Sequence, residues 1–245
     1  MTYTSNLDRL KQQAATLFHP VSYPAEALLE LPWLQTFAPF VGLQVAAAPP
    51  RLAQPVLWYG RDGLQLYSPE IVKPFQVQAK QYQRTSLAAR ALGHPRGKRL
   101  LDACAGLGRD TMSLVEHNTV TFVDHSLAVC LLLAEYLDRS GFSADVRWDK
   151  AEVILAASKQ QWDAIYLDPM FPARNKTALP KVDMQHLRHL QTTDGEGLSA
   201  ADLLPLALRQ GAHKIVLKRR QKDPQLMPPT SQVKGRSVRF DVYVR

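Results

Sequence analysis

The stretch from Tyr166 to Lys176, "YLDPMFPARNK", places a carboxylate, a proline and an aromatic ring in close succession. The carboxylate of Asp168 and a backbone carbonyl near Pro169 could accept the two N–H groups of an exocyclic base amine, with Phe171 stacked on the base. Aspartate followed by proline is also common in ordinary turns. The stretch alone therefore leaves two interpretations: a catalytic pocket built from Asp168, Pro169 and Phe171, or a turn.

The segment "LLDACAGLGRDT" is typical of a turn between a buried strand and a helix. Asp102 would end the strand, and Gly106 and Gly108 would let the backbone approach a ligand at the sheet edge where open α/β sheets bind cofactors. Thr111 stands where a dinucleotide fingerprint has its third glycine, which disfavours an NAD-dependent enzyme. Taken alone, the segment could also be a purely structural turn.

A second acidic residue strengthens the cofactor interpretation. Asp124 lies near the end of the run "TVTFVDH", 18 residues after Gly106, about where the acid of a second strand binds ribose hydroxyls. A carboxylate suits a vicinal diol because it accepts two hydrogen bonds. Ser126 could cap the following helix and leave Asp124 to the ligand. Asp102, Gly106, Gly108 and Asp124 together predict a nucleoside-cofactor site.

Positive charge is concentrated around and after these motifs. The 245-residue chain has a formal net charge of +8, and from residue 214 to residue 245 nine Lys or Arg oppose two Asp. Such an excess favours a polyanionic partner, most simply nucleic acid, over a generic solvated face. The RNA-binding residues that we predict are Arg174, Lys176, Lys181, Lys218 and Arg219.

From residue 99 onwards, short β-type runs alternate with helical stretches, which predicts an α/β fold: a mostly parallel sheet with helices on both faces. We expect helices over 76–92, 110–117, 128–139, 179–190 and 200–210. Asp168 and Pro169 would follow the fourth strand of this domain. Residues 76–245 would form the α/β domain. Residues 1–75 would form a small N-terminal α+β region with a hairpin of 56–59 and 64–67.

Several classes of protein are disfavoured. No apolar run approaches the length of a bilayer span, and "MTYTSNLDRLKQQ" lacks the apolar region of a signal peptide, so we expect a cytoplasmic protein without a membrane partner. Cys104 and Cys130 lie in apolar segments and are expected to be reduced core residues. His186 and His189 share a helix face without a third ligand, which favours a surface helix; no metal is expected.

The motifs "DACAGLGRDT", "YLDPMFP", "KTALPKVDM" and "VLKRR", in this order and spacing, resemble the RsmJ family of bacterial small-subunit ribosomal RNA methyltransferases. The resemblance runs from about Tyr67 to the C-terminus. It implies a Rossmann-like class I fold, S-adenosylmethionine as cofactor, methyl transfer to a guanine N2 of 16S ribosomal RNA, and ribosomal RNA or the small ribosomal subunit as partner. The cofactor contacts that it implies are Arg109, Asp110, Asp124, His125, Asp149, Lys150 and Asp168.

Two departures from the family pattern indicate a divergent member. The family commonly has an acid followed by arginine where this chain has Asp124-His125, and its glycine- and arginine-rich run before the first strand is here "KQYQRTSLAARALG". The residues alone also allow a different acceptor, an adenine N6 or another RNA or DNA amine. A third reading is a non-catalytic RNA-binding or ribosome-assembly protein with a vestigial cofactor fold. Retention of Gly106, Gly108, Asp124 and Asp168 argues against it.

Overall fold

The structure is a computed structural model and describes residues 21–23, 43–45, 55–60, 62–78, 86–157, 162–170, 182–194 and 197–245. The strands are β1 (Val21–Tyr23), β2 (Leu43–Val45), β3 (Val56–Gly60), β4 (Gly63–Tyr67), β5 (Arg99–Asp102), β6 (Thr119–Asp124), β7 (Asp145–Trp148), β8 (Ala164–Leu167), β9 (Lys214–Arg220), β10 (Ser231–Lys234) and β11 (Val238–Val244). The α-helices are α1 (Leu87–Leu92), α2 (Leu127–Arg139), α3 (Ala151–Ala157), α4 (Val182–Asp194) and α5 (Ala200–Arg209), and a 3₁₀ helix spans Met112–His117.

A large sheet with the strand order β10-β11-β9-β8-β5-β6-β7 organises the C-terminal part of the chain. Strands β5 to β9 run parallel, whereas β11 is antiparallel to β9 and β10 is antiparallel to β11. The mostly parallel sheet predicted from the sequence is confirmed. Because the five parallel strands all end at one edge, the loops that follow them bring the predicted site residues together.

Helices cover both faces of this sheet, as predicted. The neighbours Leu100 and Leu101 point to opposite faces and belong to two different hydrophobic clusters. The first cluster includes buried residues of α1, α2 and the β3–β4 hairpin, and the second includes buried residues of α3 and α5. Burial of apolar surface on both faces provides the main stabilisation of the sheet.

The predicted N-terminal hairpin is confirmed, since β3 and β4 pair antiparallel along their length. Its side chains Leu57, Leu64 and Leu66 are fully buried and share a cluster with α2. Strands β1 and β2 extend the hairpin sheet in the order β2-β1-β3-β4, with parallel pairing that the sequence did not suggest. The division of the chain at residue 75 stays a prediction.

Helix boundaries differ from the expectation at several places. The helix predicted over 76–92 begins only at Leu87, because Ser86 caps it: the Ser86 hydroxyl accepts from the N–H of Ala89 and donates to the Asp110 carbonyl. Residues 76–78 are not helical, and 79–85 lie outside the described residues. The helix predicted over 110–117 is the 3₁₀ helix, and α3 and β10 were not predicted.

The expectation of a surface position is wrong for His186. This side chain lies on α4 and is fully buried, with its Nδ1 2.8 Å from the Ser68 hydroxyl and its Nε2 3.0 Å from the Lys73 carbonyl oxygen. Its two ring nitrogens thus fasten α4 to the segment after the hairpin. Within the described ranges, no cluster of three His, Cys, Asp or Glu side chains is arranged to hold a metal ion, and no helix is long and apolar enough to span a membrane.

Candidate active site

An ion-pair network joins the ends of β8 and β9 to the glycine turn after β5. The Lys218 ammonium lies 2.6 Å from Asp168 Oδ2 and 2.6 Å from Asp110 Oδ2. The Tyr166 hydroxyl donates to the same Asp110 oxygen at 2.6 Å. Tyr166 and Asp168 share a side of β8 because alternate residues of a strand point the same way. Asp168 is therefore linked through Lys218 to Asp110, which follows the glycine turn.

The network determines the charges in the pocket. Burial raises the pKa of Asp168 to about 6; Lys218 lowers it and Asp110 raises it further. Burial by itself would lower the pKa of Lys218, but the two carboxylates outweigh burial and raise it above its usual value. Burial also raises the pKa of Tyr166, which keeps its phenol protonated as a donor. At neutral pH the pocket thus holds a charged lysine beside an aspartate that titrates slightly below neutrality.

Asp102, at the end of β5, is buried with 2% of its surface exposed. Its Oδ2 accepts a 2.5 Å hydrogen bond from the Thr111 hydroxyl, and its Oδ1 has no hydrogen-bond partner in the part of the chain that the structure describes. Burial raises the pKa of Asp102 to about 8, although the Thr111 hydrogen bond opposes the rise. Thr111, the residue that replaces the third glycine of a dinucleotide fingerprint, therefore supplies a donor that positions Asp102.

The two glycines of the turn have different surroundings. Both have positive φ, +51° at Gly106 and +69° at Gly108, a conformation that favours glycine. A Cβ at Gly108 would lie 3.1 Å from Met112 Cε and 3.3 Å from side-chain carbons of Leu133 and Phe122. At Gly106 no atom of the described residues lies within 4 Å of that position. Gly108 therefore packs the turn onto the core, whereas Gly106 faces open space that a ligand can occupy.

Asp124, at the end of β6, is bound to this turn. Its Oδ2 accepts from the N–H of Gly106 at 2.8 Å, and its Oδ1 accepts from the N–H of Ser126 at 2.9 Å. The Ser126 hydroxyl in turn caps α2 by accepting from the N–H of Val129, as predicted. Because each carboxylate oxygen can accept more than one hydrogen bond, these bonds are compatible with ribose hydroxyls at the same carboxylate.

The remaining predicted cofactor contacts lie at the same edge. His125 follows β6, with its Nδ1 3.5 Å from Asp124 Oδ1. Asp149 follows β7, and its backbone N–H donates to the Asp124 carbonyl at 3.1 Å. The Asp149 carboxylate accepts a hydrogen bond from the backbone N–H of Lys150 at 2.8 Å. Arg109 follows Gly108 in the turn and is half-buried. The ends of β5, β6 and β7 thus bring these side chains together, while their contacts with a cofactor stay a prediction.

The predicted RNA contacts and base pocket are described only in part. Pro169 is buried, whereas Phe171, Arg174, Lys176 and Lys181 lie outside the described residues. Lys218 and Arg219 are 19% and 10% exposed, and Arg219 Nε lies 3.7 Å from Asp223 Oδ2. Both side chains are less exposed than expected for residues that bind phosphates at the surface. Their RNA-binding role stays a prediction. Tyr166 was missed from the sequence, although its position two residues before Asp168 on a strand was a usable signal.

Comparison with known proteins gives a consistent picture. A family profile described as "Putative SAM-dependent methyltransferase" matches residues 75–245. The ribosomal RNA small subunit methyltransferase J of Coxiella burnetii is 37% identical in an alignment of 177 positions, which covers 66% of this chain and 67% of that protein. The protein of the same name from Dechloromonas aromatica is 34% identical in an alignment of 218 positions, which covers 77% of this chain and 86% of that protein.

Solved structures show the same fold. A SAM-dependent methyltransferase from Neisseria gonorrhoeae superposes with a TM-score of 0.67 and 25% identity, covering 92% of this chain and 95% of that one. A T. thermophilus 16S rRNA N2 methyltransferase, in complex with AdoMet and guanosine, has a TM-score of 0.50 and 18% identity, covering 82% of this chain and 53% of that one. At that identity the second likeness is one of fold alone. The Rossmann-like class I prediction is confirmed.

Proposed function

The chain belongs to the ribosomal RNA small subunit methyltransferase J family, and from this premise we propose that it transfers a methyl group from S-adenosylmethionine to the exocyclic N2 of a guanine in 16S ribosomal RNA. The observation that carries the proposal is the Asp168 carboxylate, held by Lys218 beside a turn suited to a nucleoside cofactor. The partner is ribosomal RNA, and the place of action is the cytoplasm.

The residues present fit S-adenosylmethionine. The open space at Gly106 admits a ligand close to the backbone, and the Asp124 carboxylate beside it suits the ribose hydroxyls. The buried Oδ1 of Asp102, which has no hydrogen-bond partner among the described residues, is a further polar group at this edge. When bound, the cofactor supplies the methyl group of its sulfonium, and the thioether that remains leaves as a neutral group. The further contacts that we assign to it are Arg109, Asp110, His125, Asp149, Lys150 and Asp168.

Asp168 has two tasks in this proposal. One is to accept an N–H of the guanine amine, whose lone pair is otherwise delocalised into the ring, and so to orient the nitrogen towards the methyl group. The other is to take the proton that the amine loses as its new N–C bond forms. A pKa of about 6 leaves Asp168 mostly ionised at neutral pH and still basic enough to accept that proton. Lys218 binds Oδ2, and we assign the other oxygen to the amine.

The remaining roles in the base pocket are proposals from the motif. A backbone carbonyl near Pro169 would accept the second N–H of the amine, and Phe171 would stack on the ring. Arg174, Lys176 and Lys181 would hold phosphates of the RNA beside the pocket. Methyl transfer from such a donor needs little acid catalysis, so most of the rate enhancement would come from this positioning.

The direct test is methyl transfer in vitro. We expect purified protein with methyl-labelled S-adenosylmethionine to label 16S ribosomal RNA isolated from a strain that lacks the gene, and nucleoside analysis to recover the label as N2-methylguanosine. Label recovered as N6-methyladenosine would overturn the choice of acceptor. Absence of transfer, together with no calorimetric binding of S-adenosylmethionine by the folded protein, would instead support the non-catalytic RNA-binding alternative.

A further inference from the structure

Two turns of the C-terminal strands project at the same sheet edge as the candidate active site. Strand β9 ends at Arg220, and the 220–224 turn follows it. Strand β11 is antiparallel to β9, with Val238 opposite Arg220, so the 234–238 turn that precedes it lies at this edge too. With strands about 4.8 Å apart, β11 lies roughly 10 Å along the edge from β8, which ends just before Asp168.

The fold holds both turns in place. Arg239 is buried with 4% exposed, and its guanidinium donates to the carbonyl oxygens of Arg220, Gln221 and Asp223 at 2.9, 3.1 and 2.7 Å. The 234–238 turn is packed on α1, because a Cβ at Gly235 would lie only 2.6 Å from Leu87 Cδ1. Backbone that is held this way positions its side chains before a ligand arrives, which lowers the entropy lost on binding.

The charge that these turns expose is positive. Lys222, Lys234 and Arg236 are exposed and Arg220 is half-buried; we call these four residues the basic rim. The acidic residues nearby are engaged in the protein: Asp241 is 1% exposed and paired with Arg239 at 2.9 Å, and Asp223 lies beside Arg219. An edge that exposes cations and neutralises its own anions attracts a polyanion.

We propose that the basic rim binds the phosphate backbone of the RNA next to the target nucleotide. This inference rests on the proposed function and deepens it by assigning a substrate surface outside the pocket. Phosphate contacts fix register and orientation on a nucleic acid without reading its sequence. A rim roughly 10 Å from Asp168 would hold nucleotides that flank the base in the pocket, so that the RNA is gripped on the β9–β11 side of the site.

The test compares two double variants that remove the same charge. Lys234→Ala/Arg236→Ala alters the rim, whereas Arg96→Ala/Arg209→Ala removes two exposed arginines at the opposite sheet edge, where β5 and β9 begin. Affinity for an in vitro 16S rRNA transcript is measured across a series of NaCl concentrations, and affinity for S-adenosylmethionine is measured by calorimetry. We expect the rim variant to bind the transcript roughly tenfold more weakly at moderate salt, with a log–log salt slope smaller by about 1.5.

The control variant should bind the transcript as the wild type does. Both double variants should keep the wild-type affinity for S-adenosylmethionine. In steady-state transfer the rim variant should raise KM for RNA and leave kcat at saturating RNA unchanged. An unchanged salt slope in the rim variant, or an equal loss in the control, overturns the proposal. RNA binding is measured without methyl transfer, so the two proposals can fail separately. If the wild type transfers no methyl group but the rim variant still binds the transcript more weakly, the proposed function is refuted and the RNA-binding role of the basic rim stands.

Discussion

The Lys218 ammonium lies 2.6 Å from the Oδ2 of Asp168, at the adjacent ends of β9 and β8. The same ammonium is equally close to Asp110, which follows the glycine turn of the predicted cofactor site. One partly buried cation therefore lies between two carboxylates that come from separate motifs. Since Lys218 lowers the pKa of Asp168 while burial and Asp110 raise it, the lysine helps to set the pH at which Asp168 can accept a hydrogen bond.

Lys218→Met should shift the pH dependence of transfer. Without the ammonium, the pKa of Asp168 rises above about 6, so the ionised form appears only at higher pH. We expect the acidic limb of log(kcat/KM) against pH, near pH 6 in the wild type, to move up by about one pH unit or more. Lys214→Met, at the other end of the same strand, is the matched control and should keep the wild-type limb. Acidic limbs at the same pH in the wild type and both variants would remove Lys218 from the pocket chemistry.

Asp168→Asn should reduce transfer by about a hundredfold or more while the protein remains folded, because the amide cannot take the proton of the amine. Asp163→Asn is the control, since Asp163 precedes β8 at the opposite edge and is 39% exposed. Thermal unfolding and labelled methyl transfer are measured side by side for both variants. If Asp168→Asn loses activity only in proportion to lost folded protein, the aspartate is structural.

Asp102→Asn should change how stability depends on pH. The folded-state pKa of Asp102 is raised to about 8, so its protonated form favours the folded state. That contribution is fully present below about pH 4, where the unfolded residue is also protonated, and is lost as pH rises through 8. The free energy of unfolding of the variant, relative to the wild type, should therefore increase from pH 4 to pH 9, by an amount on the order of a few kcal/mol.

Urea unfolding at several pH values measures this difference, and Asp168 titrates in both proteins, so its own contribution largely cancels. Asp138→Asn, at an exposed position near the end of α2, is the control and should parallel the wild type. A flat difference between Asp102→Asn and the wild type across this range would mean that Asp102 is ionised in the folded protein at neutral pH.

The two glycines should respond differently to alanine. Gly106→Ala places its methyl group in open space, so we expect affinity for S-adenosylmethionine to fall about tenfold, together with the cost of about 1 kcal/mol for a positive φ. In Gly108→Ala the new methyl group would lie against three side chains, so the free energy of unfolding should fall by about a further 1–3 kcal/mol. Gly141→Ala isolates the backbone cost, because Gly141 has a φ of +68° and no atom of the described part of the chain lies within 4 Å of its Cβ position.

Calorimetry with S-adenosylmethionine and urea unfolding separate the two effects. Gly106→Ala binding as tightly as Gly141→Ala would show that the cofactor does not approach the turn at Gly106.

Much of the architecture followed from local sequence signals. Ser126 was expected to cap the helix after Asp124 and does so, because a cap and its helix are neighbours in the chain. The mostly parallel sheet and the edge that carries Asp102, Asp124 and Asp168 followed from alternating strand and helix patterns, since parallel strands all end at one edge.

What the sequence did not reveal depends on long-range contacts. The burial of His186 requires Ser68 and the Lys73 carbonyl, more than a hundred residues away. The late start of α1 depends on a bond from Ser86 to the Asp110 carbonyl. The inward position of the Lys218 charge was missed because, in the sequence, "VLKRR" is simply basic; only the adjacent ends of β8 and β9 place it against Asp168.

The most direct test of the central claim is a nucleotide-resolution map of methylation in 16S ribosomal RNA from a deletion strain, complemented either with the wild-type gene or with Asp168→Asn. We predict that one N2-methylguanosine is absent from the deletion strain, returns with the wild type and does not return with Asp168→Asn. An N6-methyladenosine that follows this pattern, while every N2-methylguanosine is unchanged, would contradict the account.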